Sequence, residues 1–163
     1  MHPEAMAFVA TKVREFGPFA DVVEFGSRNV NGSVRYLFPM AAYVGVDIAP
    51  GPGVDHVANA ADYQTAVGHD CVVCCEVLEH TPDAKRIVEA AWKALRPGGV
   101  LIVTTACDPR APHSAIDGGQ LHPSEFYANI VPAALTAWLS AFKDVAVEVH
   151  EDRGDLYGMG VKP

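Results

Sequence analysis

The sequence predicts an α/β fold: a doubly wound, mostly parallel sheet with helices on both faces, closed by an antiparallel strand pair, in one domain over residues 1–163. Three features predict it. Strand-like and helix-like segments alternate along the chain. The runs DCVVCC (70–75) and VLIVTTA (100–106) are almost continuously apolar, as in strands buried on both sides of a parallel sheet. The tail instead carries two alternating segments close together, DVAVEVHE (144–151) and DLYGMGVK (155–162), which read as paired strands.

Each element follows in order. PEAMAFVATKVREF (3–16) places Met6, Val9, Val13 and Phe16 at helical spacing, and DVVEF (21–25) is a short buried strand. The chain then turns at Asn31-Gly32, and a helix is expected to open near Ser33. AAYVGVDI (41–48) is the second strand. Residues 83–95 carry the clearest helical pattern, through Ala84, Ile87, Val88, Ala91, Trp92 and Leu95, with Thr81 as the expected N-cap and Pro82 at the first helical position. RPGG (96–99) ends that helix and turns the chain into VLIVTTA. A polar, Gly/Pro-rich stretch, CDPRAPHSAIDGGQLH (107–122), precedes a second helical pattern through Phe126, Ile130, Val131, Ala134, Trp138 and Leu139, expected to bend at Pro132.

Composition narrows the setting. A length of 163 residues is about one domain. A net charge of −8 offers no basic footprint for a phosphate backbone, so nucleic acid is a disfavoured partner. The longest apolar runs are a few residues, too short to span a membrane. The N-terminal stretch MHPEAMAFVATKVREF mixes charges into its apolar positions, unlike a signal peptide, and a cytoplasmic protein is expected. Of the four cysteines, Cys71, Cys74 and Cys75 fall in a strand whose alternate side chains point to opposite faces. Cys71 and Cys74 then cannot clamp one ion, and no metal is expected.

Doubly wound sheets bind ligands beyond the carboxyl ends of their strands. The segment VVEFGSRNVNGSVR (22–35) leaves such an end, and Asp47 closes the next strand 21 residues after Gly26. An acidic residue at that spacing accepts two hydrogen bonds from a vicinal diol of a ribose. The spacing alone also fits a nicotinamide-dependent oxidoreductase, although the chain lacks a full G-x-G-x-x-G and a second domain.

Five motifs taken together go further: VVEFGS (22–27), YVGVDIAPG (43–51), VANAADY (57–63), DCVVCCEVLEHTPD (70–83) and LRPGGVLIVTT (95–105). In order and spacing they resemble class I S-adenosylmethionine-dependent methyltransferases acting on small molecules. The resemblance implies a Rossmann-like, seven-stranded sheet and S-adenosylmethionine as cofactor. It places Glu24, Gly26, Ser27 and Arg28 on the loop around the cofactor's methionine moiety, Asp47 on the ribose, and Ile48 against the adenine. Asn59, Ala60 and Asp62 fall near the adenine edge, and Cys75, Glu76 and Val77 beneath the sulfonium and adenine. His80 matches the family's histidine beside the reaction centre.

The chain departs from that family in its glycine loop, where Arg28 and Val30 replace later glycines. Arg28 is then placed to pair with the cofactor's carboxylate. Methyl transfer is an in-line displacement in which positioning supplies much of the acceleration, and a base is needed only for a hydroxyl or protonated amine acceptor. His80 and His122 are the candidate bases. The acceptor, a small molecule with an oxygen, nitrogen or carbon nucleophile, is expected above Glu76 and beneath the loop 107–122, with Asp108, His113 and Glu125 reading it. This loop of 16 residues, with a Gly118-Gly119 hinge, is expected to act as a lid that governs the acceptor and contributes little to the cofactor. A non-catalytic S-adenosylmethionine-binding protein or partner subunit stays open as an alternative, and the oligomeric state is not specified by the sequence.

Overall fold

The computed structural model describes all residues from Met1 to Pro163. Seven strands form one sheet: β1 (Asp21–Phe25), β2 (Ala42–Asp47), β3 (His56–Val57), β4 (His69–Cys75), β5 (Leu95–Ala106), β6 (Lys143–His150) and β7 (Asp155–Val161). Their spatial order is β3-β2-β1-β4-β5-β7-β6. The strands from β3 to β5 pair in parallel, and β7 runs against both β5 and β6. The chain order reverses direction between β1 and β4, the switch point at which such sheets open a crevice.

Strand alternation sorts the core into two layers. On one face Val22, Cys71, Val73, Ile102 and Met159 pack against α1 (Pro3–Phe16) through Ala5, Phe8 and Val9. On the other, Val23, Phe25, Val72, Cys74, Leu101 and Val103 meet α2 (Ala84–Ala94) and α3 (Pro132–Trp138). Cys71 and Cys74 therefore lie on opposite faces, and all four cysteines are free thiols in buried positions.

The helices differ from the sequence pattern in three places. No α-helix opens at Ser33; the segment makes only a 3₁₀ turn at Arg35–Leu37. Only five residues separate Ser33 from Pro39, too few to repay helix nucleation, and the residue before a proline is driven out of the α region. The next helix begins at Ala84 rather than at Pro82. Thr81 is extended, and its hydroxyl accepts the amide of Asp83 at 3.1 Å in a local turn instead of capping the helix. Finally, Phe126–Val131 is not helical, and Pro132 starts α3 rather than bending it. Val131, held extended at ψ 128° before the proline, is the boundary. The irregular connection after β5 consequently runs from Cys107 to Val131.

One buried carboxylate fixes the start of the central strands. Asp70, at the beginning of β4, accepts the amides of Ala20 at 2.7 Å and Asp21 at 3.0 Å and pairs with Arg96. Removing it strands two amides that the sheet cannot satisfy. Asp70→Ala is expected to lower unfolding free energy by about 1–3 kcal/mol. Urea denaturation checks this, and a variant as stable as the parent would show that water replaces the carboxylate without loss.

Candidate active site

The carboxyl ends of β1, β2 and β4 converge at the switch point. As the chain leaves β1, the amides of Gly26 and Ser27 both donate to Val46 O on β2, at 2.8 and 3.1 Å. Gly26 takes φ +79°, and a Cβ there would lie 2.1 Å from Val77 Cγ2. Only glycine fits this position. The next amide, of Arg28, donates to Asp47 Oδ2 at 3.1 Å, while Asp47 Oδ1 accepts from Ala49 at 3.0 Å. Each carboxylate oxygen has a second lone pair, so Asp47 keeps acceptor capacity while it shapes the loop. Ile48 beside it is 76% exposed, an apolar side chain presented outward at the strand end. Ser27 is buried, and its Oγ has no hydrogen-bond partner.

Glu24 is buried within β1, where Tyr43 donates to its Oε2 at 2.8 Å. Burial pushes its carboxyl up to about 7. Glu76, just past β4 and the buried Cys75, adopts φ 55°, a left-handed conformation that costs a residue with a side chain about 1–2 kcal/mol. Two contacts with Thr104 hold it there: its amide donates to the carbonyl at 2.8 Å, and its Oε1 accepts from the hydroxyl at 2.9 Å. Strain held in this way marks a side chain whose direction is fixed by its neighbours.

The remaining expected contacts follow β3, whose carboxyl end lies beside Asp47: the Ala58 amide donates to Asp47 O at 2.8 Å. Asn59 caps the 3₁₀ turn Ala60–Asp62 by accepting from the Ala61 amide at 2.9 Å, with Ala60 buried beneath it. Asp62 is held at 2.6 Å by Arg86, in a surface groove of about 470 Å³ between residues 61–65 and α2. That groove includes no strand-end residue from β1, β2 or β4.

Glu79 and His80 complete the segment. Glu79, which its sequence context leaves as an ordinary solvated carboxylate, is fully buried; it accepts from Thr105 Oγ1 at 2.7 Å and from the Ala106 amide at 3.2 Å. Burial, reinforced by Glu76, pushes its carboxyl up to about 8. His80 packs edge-on against His113 and Tyr127, with ring centroids 4.9 and 5.4 Å away. Its Nδ1 is buried without a partner, and burial lowers its basicity to about 4.

The lid residues divide. Glu125 is spent inside the lid, accepting the amides of Ala115 at 2.8 Å and His122 at 2.9 Å. His122 is exposed and pairs with Asp117 at 3.3 Å, so it is not gathered with His80. Asp108 accepts from Asn129, which also holds Arg110 O. Arg28 reaches the lid, donating to the carbonyls of Ala115 at 3.2 Å and Ile116 at 2.9 Å. The lid is thereby tied to the loop after β1, a contact that an acceptor-only lid does not include.

Sequence reasoning missed Tyr43, Glu79 and Tyr127. Tyr43 required the β1–β2 register, Tyr127 required the non-helical path before Pro132, and only the position of Glu79 directly before His80 offered a local signal.

The strand order, the single reversed strand β7 and the switch-point site together define a Rossmann-like methyltransferase fold. The chain belongs to the methyltransferase domain family, whose model matches residues 5–149. It is similar to the ubiquinone biosynthesis O-methyltransferase of Xanthomonas axonopodis pv. citri (strain 306), 33% identical over 184 aligned positions that cover 96% of this chain and 74% of that protein. It is 34% identical over 115 positions to the protein of the same description in Xanthomonas oryzae pv. oryzae (strain PXO99A), covering 64% of this chain and 45% of the relative. The chain thus spans about half the length of that relative. Among solved structures, the S-adenosylmethionine-bound amino pentose methyltransferase CalS10 of Micromonospora echinaspora superposes with a TM-score of 0.71 at 17% identity, covering 98% of this chain and 91% of that one. N-methyltransferase NodS of Bradyrhizobium japonicum WM9, in complex with S-adenosylhomocysteine, gives 0.68 at 15% identity, covering 98% and 86%.

The buried acids give the site a pH signature. Glu24 and Glu79 bind protons more tightly folded than unfolded, so each withdraws stability as pH rises from the ordinary glutamate range to about 7 and about 8. His80, lowered to about 4, acts in the opposite sense and adds stability as pH rises towards 6.5. Above that point, of these three groups, only the acids still act. Stability should fall between about pH 6.5 and 8, by at most about 1.4 kcal/mol per pH unit for each acid. Glu79→Gln retains an acceptor for Ala106 and a partner for Thr105 and should remove its share of the fall. Urea denaturation at both pH values measures it; equal losses in the two proteins would clear Glu79 of the effect.

Proposed function

We propose that the protein transfers a methyl group from S-adenosylmethionine to a hydroxyl of a small-molecule acceptor. The observation that carries this reading is the convergence of Gly26, Asp47, Ile48, Glu76 and His80 at one edge of the sheet, in the places where the family resemblance puts cofactor and reaction centre. The residues fit that cofactor. Asp47 offers free acceptor positions for a ribose diol, exposed Ile48 an apolar face for a purine, and the unpartnered Ser27 Oγ a group that gains from a polar ligand. The description of the relatives as O-methyltransferases supports oxygen as the nucleophile.

When bound, S-adenosylmethionine supplies a methyl group on a positively charged sulfonium. The chain's own residues orient and enclose. Asp47 and the amides after β1 hold the loop shape, Gly26 keeps the backbone bare, and Glu76 holds a carboxylate fixed by Thr104, its other oxygen 3.9 Å from His2 Nε2. Cys75 and Val77 flank Glu76 in sequence and pack into the two different apolar layers of the core. The lid over residues 107–122 excludes water, and its link to Arg28 makes lid closure and cofactor binding cooperative. His80, neutral at physiological pH, is a proton acceptor for the hydroxyl.

Asp47→Ala is expected to weaken S-adenosylhomocysteine binding about tenfold or more, since losing the carboxylate leaves ribose hydroxyls unpaired at a cost of roughly 1–3 kcal/mol. Isothermal titration of the folded variant decides it, and unchanged affinity would remove Asp47 from the site. Turnover is tested with methyl-labelled S-adenosylmethionine and a panel of alcohols, phenols and amines. Cofactor binding without label transfer to any of them would favour a non-catalytic binder. Binding of NAD in place of S-adenosylhomocysteine would overturn the reading.

A further inference from the structure

His80 poses a problem that the methyl-transfer reading leaves unsolved. A histidine serves as a base through one ring nitrogen only when the other is held in the right protonation state by a partner. Yet His80 Nδ1 is buried and has none. An unpaired buried polar atom costs about 1–3 kcal/mol, so a group that answers it should be close.

The lid supplies one. His113 Nδ1 lies 3.2 Å from Ala111 O. A carbonyl only accepts, so that nitrogen carries the hydrogen, and in the neutral ring Nε2 is left as a lone-pair acceptor. The His113 ring stands perpendicular to His80, at 88°, with centroids 4.9 Å apart. Tyr127 closes the third side, 5.4 Å from His80 and 5.1 Å from His113. One ring nitrogen from each histidine and one oxygen of Glu79 lie within 4.8 Å of one another. Glu79 is already occupied by Thr105 and Ala106, whereas His113 Nε2 makes no hydrogen bond of its own.

We propose that His113 is a positioning residue for His80: its Nε2 accepts a hydrogen bond from His80 Nδ1–H, with Tyr127 wedging the two rings, so that His80 Nε2 is the nitrogen left to accept the proton of the methyl acceptor. The orientation passes along one line, from the Ala111 carbonyl through His113 to His80. The two rings are not hydrogen-bonded as they stand, and the bond requires one of them to turn. In the reaction the acceptor oxygen bonds to the methyl carbon, the sulfur keeps the electron pair of the bond it loses, and the hydroxyl proton moves to His80 Nε2. The positive charge passes from sulfonium to imidazolium, and the imidazolium then returns its proton to solvent. This consequence rests on the methyl-transfer reading, but the hydrogen bond itself does not. It also explains why the base is completed by the lid: His80 is oriented only when residues 111–127 are in place.

The test reads the tautomer directly. Long-range ¹⁵N–¹H spectra of the histidine rings in the full chain, with and without S-adenosylhomocysteine, should show His80 as the Nδ1–H tautomer at neutral pH. His113→Leu should convert it to a mixture or to the Nε2–H form. His113→Gln, whose side-chain oxygen reaches the place of Nε2, should restore the single tautomer. Where an acceptor is turned over, His113→Leu should lower kcat at least about tenfold, within the range general-base catalysis supplies, with the KM for S-adenosylmethionine unchanged and His113→Gln recovering most of the loss. An Nε2–H tautomer in the parent protein, or a His80 signal indifferent to His113→Leu, would overturn the proposal even if methyl transfer is confirmed. So would a need for added divalent cation after EDTA treatment that His113→Leu abolishes, which would make the rings ligands instead.

Discussion

The site depends on how the chain leaves β1. Within two residues it must bend away from the sheet, hand both amides to Val46 O, and pass beside Val77 from the neighbouring strand's exit. A left-handed residue without a side chain is the only solution, and Gly26 supplies it. With that turn fixed, the Arg28 amide meets Asp47, Asp47 closes the 47–49 turn, and the exits of β1, β2 and β4 become one surface. The lid contact through Arg28 is built on this same surface.

Around it the protein accumulates buried acids. Glu24 and Glu79 are driven towards neutrality by burial, while strained Glu76 has its direction held by Thr104. Such an arrangement weakens the folded state, and natural domains retain costs of this kind where geometry matters more than stability. The lid contributes the remaining pieces from the other side. Arg28 ties it to the turn after β1, Ala128 donates its amide to Glu79 O at 2.8 Å, and the His113 and Tyr127 rings enclose His80. A single irregular segment thus touches both the loop after β1 and His80, which is how closure can assemble a site.

The sequence made the frame legible where local chemistry decides structure. DCVVCC and VLIVTTA could only be buried strands, and the Gly26-to-Asp47 spacing marked the two strand ends that do converge. It misled where a pattern lacked the length or freedom to act: Ser33 has a helix opening but Pro39 close behind, and Phe126–Val131 has helical periodicity but Pro132 to receive it. In the site, the backbone determinants were readable and the side-chain partners were not. Glu79 has the character of a surface residue in the string EVLEH, and only the fold around Thr105 and Ala106 shows it buried. His113 and Tyr127 stand 14 residues apart and meet His80 through a path that no periodicity describes.

The proposed cofactor surface joins the ends of β1, β2 and β4. Hydrogen exchange read by mass spectrometry, with and without S-adenosylhomocysteine, tests it most directly. Simultaneous protection of residues 26–31, 47–49 and 75–80 is the predicted result. Protection confined to residues 61–65 and 86–94, the groove along α2, or no protection at saturating ligand, would contradict the account.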